Sequence, residues 1–488
     1  MINFRVVAFI LGILLVIEGA FMLLSAPVSL FYNDPDALYI FVSAFITAFS
    51  GFLLWAIFRN CNKSIGKREG YIIVSLGWIL FSFFGSLPFY ISNSIPSYTD
   101  AFFETMSGFT TTGASILVDY DESSNMFLLS HGLLFWRSMT QWLGGMGIIV
   151  LSLVILPILG IGGMQLFTAE VPGPTPDKLH PRIKETAKRL WGVYMFITLA
   201  EVILLVLGKM PLFDAVCHSF TTLATGGYSI KQESIAFYSS PYIQYVITFF
   251  MIVAGINFSL SYFSLKLKFK RVWSNEEFRA YLSFIGIFTV IITLLLIVNG
   301  DQAIEKSFRD ALFQVVSIMT TTGYATVDYL NWVPSAVILL LVLMFFGGSA
   351  GSTGGSIKIV RVVLMLKNGF LELKRLIHPN AIVPVRLDKE AVKPEIITNV
   401  LAFISVYILI TVIGVIVISS AGNDLDTSVG SVAATLGNIG PGIGDVGPAL
   451  NYAGFGIFSK WFLSFLMLVG RLELFTVLIL FTPSFWKK

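Results

Sequence analysis

Long apolar segments recur along the whole chain and are separated by short polar connections. Each segment is long enough to cross about 30 Å of hydrocarbon as a helix that rises about 1.5 Å per residue. The hydropathy pattern therefore predicts ten membrane spans, at about residues 5–31, 38–58, 70–92, 127–160, 187–208, 241–266, 279–299, 331–366, 396–420 and 454–482. Because ten is an even number, both termini are expected on the same side of the membrane.

The charged residues indicate which side that is. Lys and Arg concentrate in alternate connections, at residues 59–68, 178–189, 266–279 and 367–393, and the chain ends on Lys487 and Lys488. The connections between these clusters are poor in Lys and Arg and carry mostly Asp. Basic connections remain in the cytoplasm, so we expect a multi-pass membrane protein with both termini in the cytoplasm.

Composition agrees with this class and excludes others. Hydrophobic residues make up 56% of the 488 residues, charged residues only 12%, and the mean hydropathy is +0.81. A soluble chain carries about 25% charged residues. The net charge of +3 is too small to suggest a nucleic-acid partner. Cys61 and Cys217 are far apart and show no metal-ligand spacing.

A repeated unit occupies the outer connections. Its first three copies share an Asp followed thirteen residues later by a Gly, in the pairs Asp100 and Gly113, Asp214 and Gly227, and Asp310 and Gly323. A fourth, more divergent copy runs from Asp426 to Gly440. The residues between form about three helical turns, too few to cross a bilayer, so each segment must dip into the membrane and return. Such backbone is tolerated at membrane depth where protein covers it or where it lines an aqueous cavity.

Each copy ends in a short turn that is rich in Thr and Gly. The four turns are Thr110, Thr111, Thr112 and Gly113; Ala224, Thr225, Gly226 and Gly227; Thr320, Thr321, Thr322 and Gly323; and Gly437, Asn438, Ile439 and Gly440. Four such strands around one axis could present rings of carbonyl oxygens that replace the hydration shell of a cation. The partially negative C-terminal end of each short helix, with the Asp complementing its start, also favours a cation. A single Thr-Thr-Gly is usually an ordinary turn, so the interpretation depends on the repetition.

Two further features suggest a gate. Gly347, Gly348, Ser349, Ala350, Gly351, Ser352, Thr353, Gly354 and Gly355 lie within the eighth predicted span, where so much glycine should break a helix. The alternative is that small residues allow close helix packing. Arg471 lies between apolar residues at membrane depth, which is usually functional. We predict that it faces the pore, although snorkelling or a structural ion pair would also explain it.

The repeats define the predicted organisation of an all-α membrane protein. Residues 1–65 form two additional helices, and residues 66–165, 180–270, 275–370 and 390–488 form four helix, pore-loop, helix units. No nucleophile, metal-ligand or phosphate-binding motif suggests an enzyme, and nucleotide control would need another chain. The alternative to a channel-like pore is a symporter coupled to sodium or protons. Only Glu18 and Glu201 offer clear intramembrane carboxylates away from the predicted filter and Arg471.

These motifs resemble a known family. The loops TTTGAS, ATGGYS, TTTGYA and GNIGPG are similar to those of the Trk/Ktr/HKT superfamily of potassium transporters. The additional N-terminal spans, the stretch WRSMTQWLGG at 136–145 and the length resemble its bacterial Trk-type membrane subunits. The resemblance implies one pseudo-fourfold pore per chain, with potassium as the substrate at the filter carbonyls and no cofactor. It also implies a homodimer and a cytosolic nucleotide-binding regulatory partner of the TrkA type.

The resemblance also assigns individual residues. The family's filter glycines fall on Gly113, Gly227, Gly323 and Gly440. Gly113 replaces a Ser that accompanies sodium transport in related plant proteins, which favours potassium. The fourth loop departs from the Thr pattern with Asn438 and Ile439, which breaks the fourfold symmetry. The glycine-rich segment at 347–355 is implied to be a mobile loop beneath the filter.

Overall fold

Helices dominate the computed structural model, which describes residues 2–62, 65–118, 120–121, 125–147, 183–300, 303–378 and 383–487. Within these residues, six helices are long and apolar enough to cross a membrane by length and composition. They are Phe4–Phe31, Ala37–Phe58, Lys67–Ile91, Lys188–Leu207, Glu276–Asn299 and Pro394–Ser420. The prediction of a multi-pass helical membrane protein is therefore confirmed. The predicted span at 127–160 lies partly outside the described residues.

The helical elements are numbered here in chain order. They are α1 Phe4–Met22, α2 Ser25–Phe31, α3 Ala37–Phe58, α4 Lys67–Gly85, α5 Leu87–Ile91, α6 Tyr98–Phe109, α7 His131–Gly145, α8 Ile183–Leu207, α9 Leu212–Leu223, α10 Pro241–Ala254, α11 Phe258–Leu265, α12 Phe269–Ser274, α13 Glu276–Asn299, α14 Ile304–Met319, α15 Pro334–Leu343, α16 Ile359–Ile377, α17 Pro394–Ser420, α18 Leu425–Gly437, α19 Ile457–Arg471, α20 Phe475–Leu478 and α21 Pro483–Trp486. Short 3₁₀ turns occur at Ser234–Phe237, Tyr329–Asn331, Gly444–Val446 and Ile479–Phe481.

The described strands form only two short antiparallel hairpins. In the first, β1 (Tyr120–Asp121) pairs with β2 (Met126–Phe127), with Tyr120 opposite Phe127. In the second, β3 (Arg386–Leu387) pairs with β4 (Glu390–Ala391), with Arg386 opposite Ala391. Helices supply most of the apolar core, to which the hairpins add the buried Phe127 of β2 and the partly buried Leu387 of β3.

The two N-terminal helices pack closely through small residues. A Cβ added to Gly12 of α1 would lie 2.7 Å from the carbonyl oxygen of Gly51 in α3. One added to Gly19 would lie 2.8 Å from the carbonyl oxygen of Ala44. Small side chains allow the two backbones to approach, which is how helices in lipid gain packing energy without a hydrophobic driving force.

Four helices, α6, α9, α14 and α18, end at the four predicted loops. They contain 12, 12, 16 and 13 residues, so each is too short to span a bilayer. The expectation that an Asp stands at the start of each is wrong for the third helix. Asp310 lies in the second turn of α14, which begins at Ile304, and Glu305 occupies the first turn instead.

Three of the helices that follow these loops are not straight. The helices α10 and α11 meet at an angle of 112°, and α19 meets the segment Phe475–Phe481 at 111°. The predicted spans at 241–266 and 454–482 are therefore bent. The eighth predicted span is interrupted between Leu343 and Ile359, as the run of glycines indicated. Non-helical backbone in the interrupted eighth span lies against the ends of α9, α14 and α18.

Candidate functional site

The four Thr/Gly loops share one backbone conformation. In each loop, the second and fourth residues have positive φ, at Thr111 and Gly113, Thr225 and Gly227, Thr321 and Gly323, and Asn438 and Gly440. The values at the four glycines run from 73° to 95°, a region that a residue with a Cβ rarely adopts. The four predicted four-residue loops thus share these backbone angles in spite of their different sequences.

Contacts between the loops close into a ring. A Cβ added to Gly113 would overlap the carbonyl oxygen of Gly226, and one added to Gly227 would overlap that of Thr322. Likewise, a Cβ on Gly323 would overlap the carbonyl oxygen of Ile439 in the fourth loop.

The last contact returns to the first loop. A Cβ on Gly440 would lie 2.8 Å from the carbonyl oxygen of Thr112. Each loop therefore sets its fourth-position glycine against the third-position carbonyl group of the next. The ring runs from the first loop through the second and third to the fourth.

Side-chain hydroxyl groups stabilise the first and third loops in the same way. The Thr110 hydroxyl donates to Met106 O at 2.6 Å and lies 2.8 Å from the Thr112 hydroxyl. The Thr320 hydroxyl donates to Val316 O at 2.7 Å and also lies 2.8 Å from the Thr322 hydroxyl. These bonds join each loop to the last turn of its short helix.

The second and fourth loops are held by amide side chains. Gln141 Nε2 donates to Gly226 O at 2.6 Å, and Gln141 Oε1 accepts from Tyr228 N at 3.0 Å. Asn438 Nδ2 donates to the Thr112 hydroxyl and to Met467 O, both at 2.9 Å. The departure from Thr in the fourth loop thus supplies a direct link to the first.

A buried ion pair supports the residues that directly follow the first two loops. Arg137 Nε lies 2.7 Å from Glu104 Oε1, and the two side chains are 3% and 1% exposed. Glu104 also accepts from Ile116 N at 2.9 Å. The Arg137 guanidinium donates to Ser229 O at 2.8 Å and lies 3.5 Å from the centre of the Tyr228 ring. A charge pair this deep contributes only when its remaining hydrogen bonds are satisfied, as they are here.

An open cavity lies on one side of the ring. Its lining includes all four fourth-position glycines, Gly113, Gly227, Gly323 and Gly440. None of the first-position residues of the loops lines it. The fourth positions therefore mark the end of the ring that faces this cavity, and the first positions mark the opposite end.

The glycine-rich segment lies against that opposite end. Gly355 N donates to the Thr321 hydroxyl at 2.7 Å. A Cβ added to Gly354 would lie 3.0 Å from Thr320 O, and one added to Gly355 would lie 2.5 Å from Gly437 O. The predicted gate segment thus contacts the third and fourth loops directly.

Arg471 contacts this same segment. Its Nη1 donates to Thr353 O at 2.5 Å, and its Nη2 donates to Gly144 O at 2.6 Å and to Gly145 O at 3.1 Å. Arg471 ends α19, Thr353 lies in the glycine-rich segment, and the two glycines end α7. One guanidinium group therefore joins α19, the glycine-rich segment and the end of α7 at the end of the ring that is remote from the cavity.

Sequence reasoning missed several charged residues near these loops. The buried Lys358 ammonium group donates to Gly354 O, which places a second cation beside the glycine-rich segment. Arg361 forms an ion pair with Glu473, just beyond Arg471. Glu277 accepts a hydrogen bond from Ala350 N. Each of these residues lies near a helix end, where a charged side chain in sequence looks like an ordinary solvated cap.

Comparisons with known proteins agree with this architecture. The family model described as "TrkH: Cation transport protein" matches residues 38–488. The chain is 42% identical to the Trk system potassium uptake protein TrkH of Salmonella typhimurium, with 100% of both chains covered. It is 34% identical to the Trk system potassium uptake protein TrkG of Escherichia coli, covering 99% of both.

A solved structure gives the same result. The crystal structure of the potassium transporter TrkH from Vibrio parahaemolyticus superposes with a TM-score of 0.89, at 38% identity and over 100% of both chains. The resemblance inferred from the loops is confirmed, and these relatives are named as transport proteins rather than enzymes. The chain belongs to the TrkH family of cation transport proteins.

Proposed function

We propose that this chain takes up potassium ions across a bacterial inner membrane through a selective, gated, channel-like pore. The closed ring of four glycine-containing loops is the observation that carries the proposal. Rings of backbone carbonyl groups can replace the hydration shell of a monovalent cation. Relatives that share 42% and 34% of the sequence are named for potassium uptake.

In this proposal the chain crosses the membrane ten times, with both termini in the cytoplasm and the cavity facing outward. Four helix, loop, helix repeats surround one pseudo-fourfold axis, and each contributes one four-residue loop to the filter. The membrane potential contributes about 2.3 kcal/mol per charge per 100 mV, which can drive accumulation without a coupled ion. The chain would work as a homodimer with a cytosolic nucleotide-binding regulatory subunit of the TrkA type, and relatives named as Trk system proteins support such an assembly.

Selectivity is tested at the first loop, where Gly113→Ser should relax the preference for potassium over sodium. Gly113 has a φ of 82°, and a Cβ there would overlap Gly226 O, so the ring must deform to accept Ser. We expect the potassium-to-sodium permeability ratio to fall severalfold in proteoliposomes. Gly369→Ser is the matched control, because nothing lies within 4 Å of a Cβ at that position. An unaltered ratio in the Gly113 variant would argue against its lining the pore.

The gate is assigned to the glycine-rich segment together with Arg471. The segment lies across the end of the ring away from the cavity, and the cationic groups of Arg471 and Lys358 bind its carbonyl groups. Positive charge at this point would repel a potassium ion leaving the filter. Movement of the segment would therefore have to displace both a steric and an electrostatic barrier.

Arg471→Ala should raise unstimulated rubidium flux by about tenfold, because about 1.4 kcal/mol off the barrier is a factor of ten in rate. Flux into proteoliposomes without any partner protein is the measurement. Arg375→Ala removes an Arg whose ion-pair partner, Glu372, is more than half exposed, and should leave flux unchanged. Equal flux in the parent and Arg471→Ala proteins would count against the gate.

Symport remains the second candidate because two carboxylates are buried in spanning helices. Glu18 and Glu201 are fully buried, and their carboxylate oxygens have no hydrogen-bond partner among the described residues. Neither lines the open cavity. Reversal potentials that shift with a proton or sodium gradient at fixed potassium would favour symport, and constant values would favour the channel-like pore.

A further inference from the structure

The start of α13 provides a side-chain contact to the middle of the glycine-rich segment. Glu277 lies in the first turn of α13 and is 8% exposed. Its Oε1 accepts a hydrogen bond from Ala350 N at 2.7 Å. A hydrogen bond from a backbone amide to a carboxylate is about twice as strong as one between neutral groups. This carboxylate is therefore well placed to determine where the segment rests.

The residues on either side of Ala350 form backbone hydrogen bonds with the bend between α10 and α11. Ser349 N donates to Gly255 O at 2.9 Å, and Gly351 O accepts from Phe258 N at 3.1 Å. Both partners belong to the bend between α10 and α11. The middle of the segment is thus fixed by the second repeat through backbone atoms and by the third repeat through Glu277. Arg471, from the fourth repeat, holds the segment farther along, at Thr353.

The helix turn that carries Glu277 is itself braced by the turn of the hairpin β3–β4. Glu276 N donates to Asp388 Oδ1 at 2.6 Å, and Asp388 N donates to Glu276 Oε2 at 3.1 Å. Lys367 of α16 pairs with Glu276 and donates to Arg386 O at 2.7 Å. Consecutive carboxylates therefore have different roles, because Glu276 joins α13 to the hairpin and Glu277 reaches the segment.

We propose that Glu277 is a positioning residue that holds the glycine-rich segment against the end of the ring, so that its loss favours the open pore. The inference rests on the proposed role of that segment as a gate. The group that Glu277 holds, Ala350 N, belongs to the segment and is not one of the sixteen filter residues. Removal of Glu277 should therefore change how often the pore conducts and leave the choice between potassium and sodium unaltered.

The test compares Glu277→Ala with Glu277→Gln in proteoliposomes without any partner. Glu277→Ala should raise unstimulated rubidium flux by about tenfold, the effect expected when a hydrogen bond to a charged group is lost. Glu277→Gln keeps an oxygen that can accept from Ala350 N, so its flux should lie between that of the parent and that of Glu277→Ala. The potassium-to-sodium permeability ratio should equal the parent value in both.

Controls separate this inference from the gate itself. Glu372→Ala removes a carboxylate from an exposed ion pair on α16 and should change nothing. If Arg471→Ala raises flux and Glu277→Ala does not, the positioning role of Glu277 is refuted, but the gate itself is supported. If neither variant raises flux, both fail. A rise in flux through Glu277→Ala that is accompanied by lost selectivity also refutes the positioning role, because it indicates that the filter has been disturbed as well as the segment. If Glu277→Ala does not fold, Glu277→Gln alone provides the test. The proposal is then refuted if the folded Glu277→Gln protein shows parental flux, or if its potassium-to-sodium permeability ratio falls below the parental value.

Discussion

Gly227→Ala is expected to abolish potassium-selective flux. Gly227 has a φ of 73°, and a left-handed conformation costs a residue with a Cβ about 1–2 kcal/mol. The larger effect is steric, because the added Cβ would overlap the carbonyl oxygen of Thr322 and lie 2.9 Å from its carbonyl carbon. Neither atom can move without disturbing the ring, since backbone rather than a flexible side chain stands in the way. We expect rubidium uptake at or near the background of empty proteoliposomes.

Gly286→Ala is the matched control for this change. Gly286 lies within α13, and no atom lies within 4 Å of a Cβ added there. Alanine should be neutral or stabilising by up to about 1 kcal/mol at such a position. If both Gly227→Ala and Gly286→Ala show potassium-selective flux at the parental level, the close approach between the second and third loops is not needed for conduction.

Arg137→Ala is expected to cause the largest loss of stability. The substitution leaves the Glu104 carboxylate buried and without its charged partner, which costs about 3–5 kcal/mol. It also removes the donor to Ser229 O and the stacking on Tyr228, beside the second loop. The measurement is the thermal unfolding midpoint of the purified protein in detergent, which should fall markedly below that of the parent.

Two further variants sharpen this test. Lys460→Ala breaks an ion pair with Asp100 whose carboxylate is 25% exposed, so water can replace the lost partner and the midpoint should fall less. The double variant Arg137→Met with Glu104→Leu should be more stable than Arg137→Ala, because no charge remains buried. A midpoint in Arg137→Ala as high as in Lys460→Ala would mean that the buried pair does not brace the loops.

The arrangement of the loops was accessible from the sequence because it is repeated. The constant offset from Asp214 selected Gly227 rather than Gly226, and in the structure it is Gly227 that has the positive φ. The offset carried less information about the third short helix, whose start lies six residues before Asp310. An Asp within a helix and an Asp at its start look alike when only spacing is available.

The contacts around the glycine-rich segment could not be predicted in the same way. A run of glycines indicates that a helix breaks, but it does not say which neighbours receive the freed backbone groups. The charged side chains among the partners are Glu277 in α13, Arg471 at the end of α19 and Lys358 just before α16. Nor could hydropathy show that the spans at 241–266 and 454–482 bend by more than 100°, since each pair of helices, taken together, is apolar enough for a single span.

The most direct test of the central claim is a bi-ionic reversal potential for the purified protein, with potassium on one side of the membrane and sodium on the other. A ring of four carbonyl-lined loops predicts a potential close to that of a potassium-selective membrane, and the Gly227→Ala protein should show no such potential. A reversal potential near zero in the parent protein would mean that potassium and sodium pass equally, and would contradict the assignment of these loops as a potassium filter.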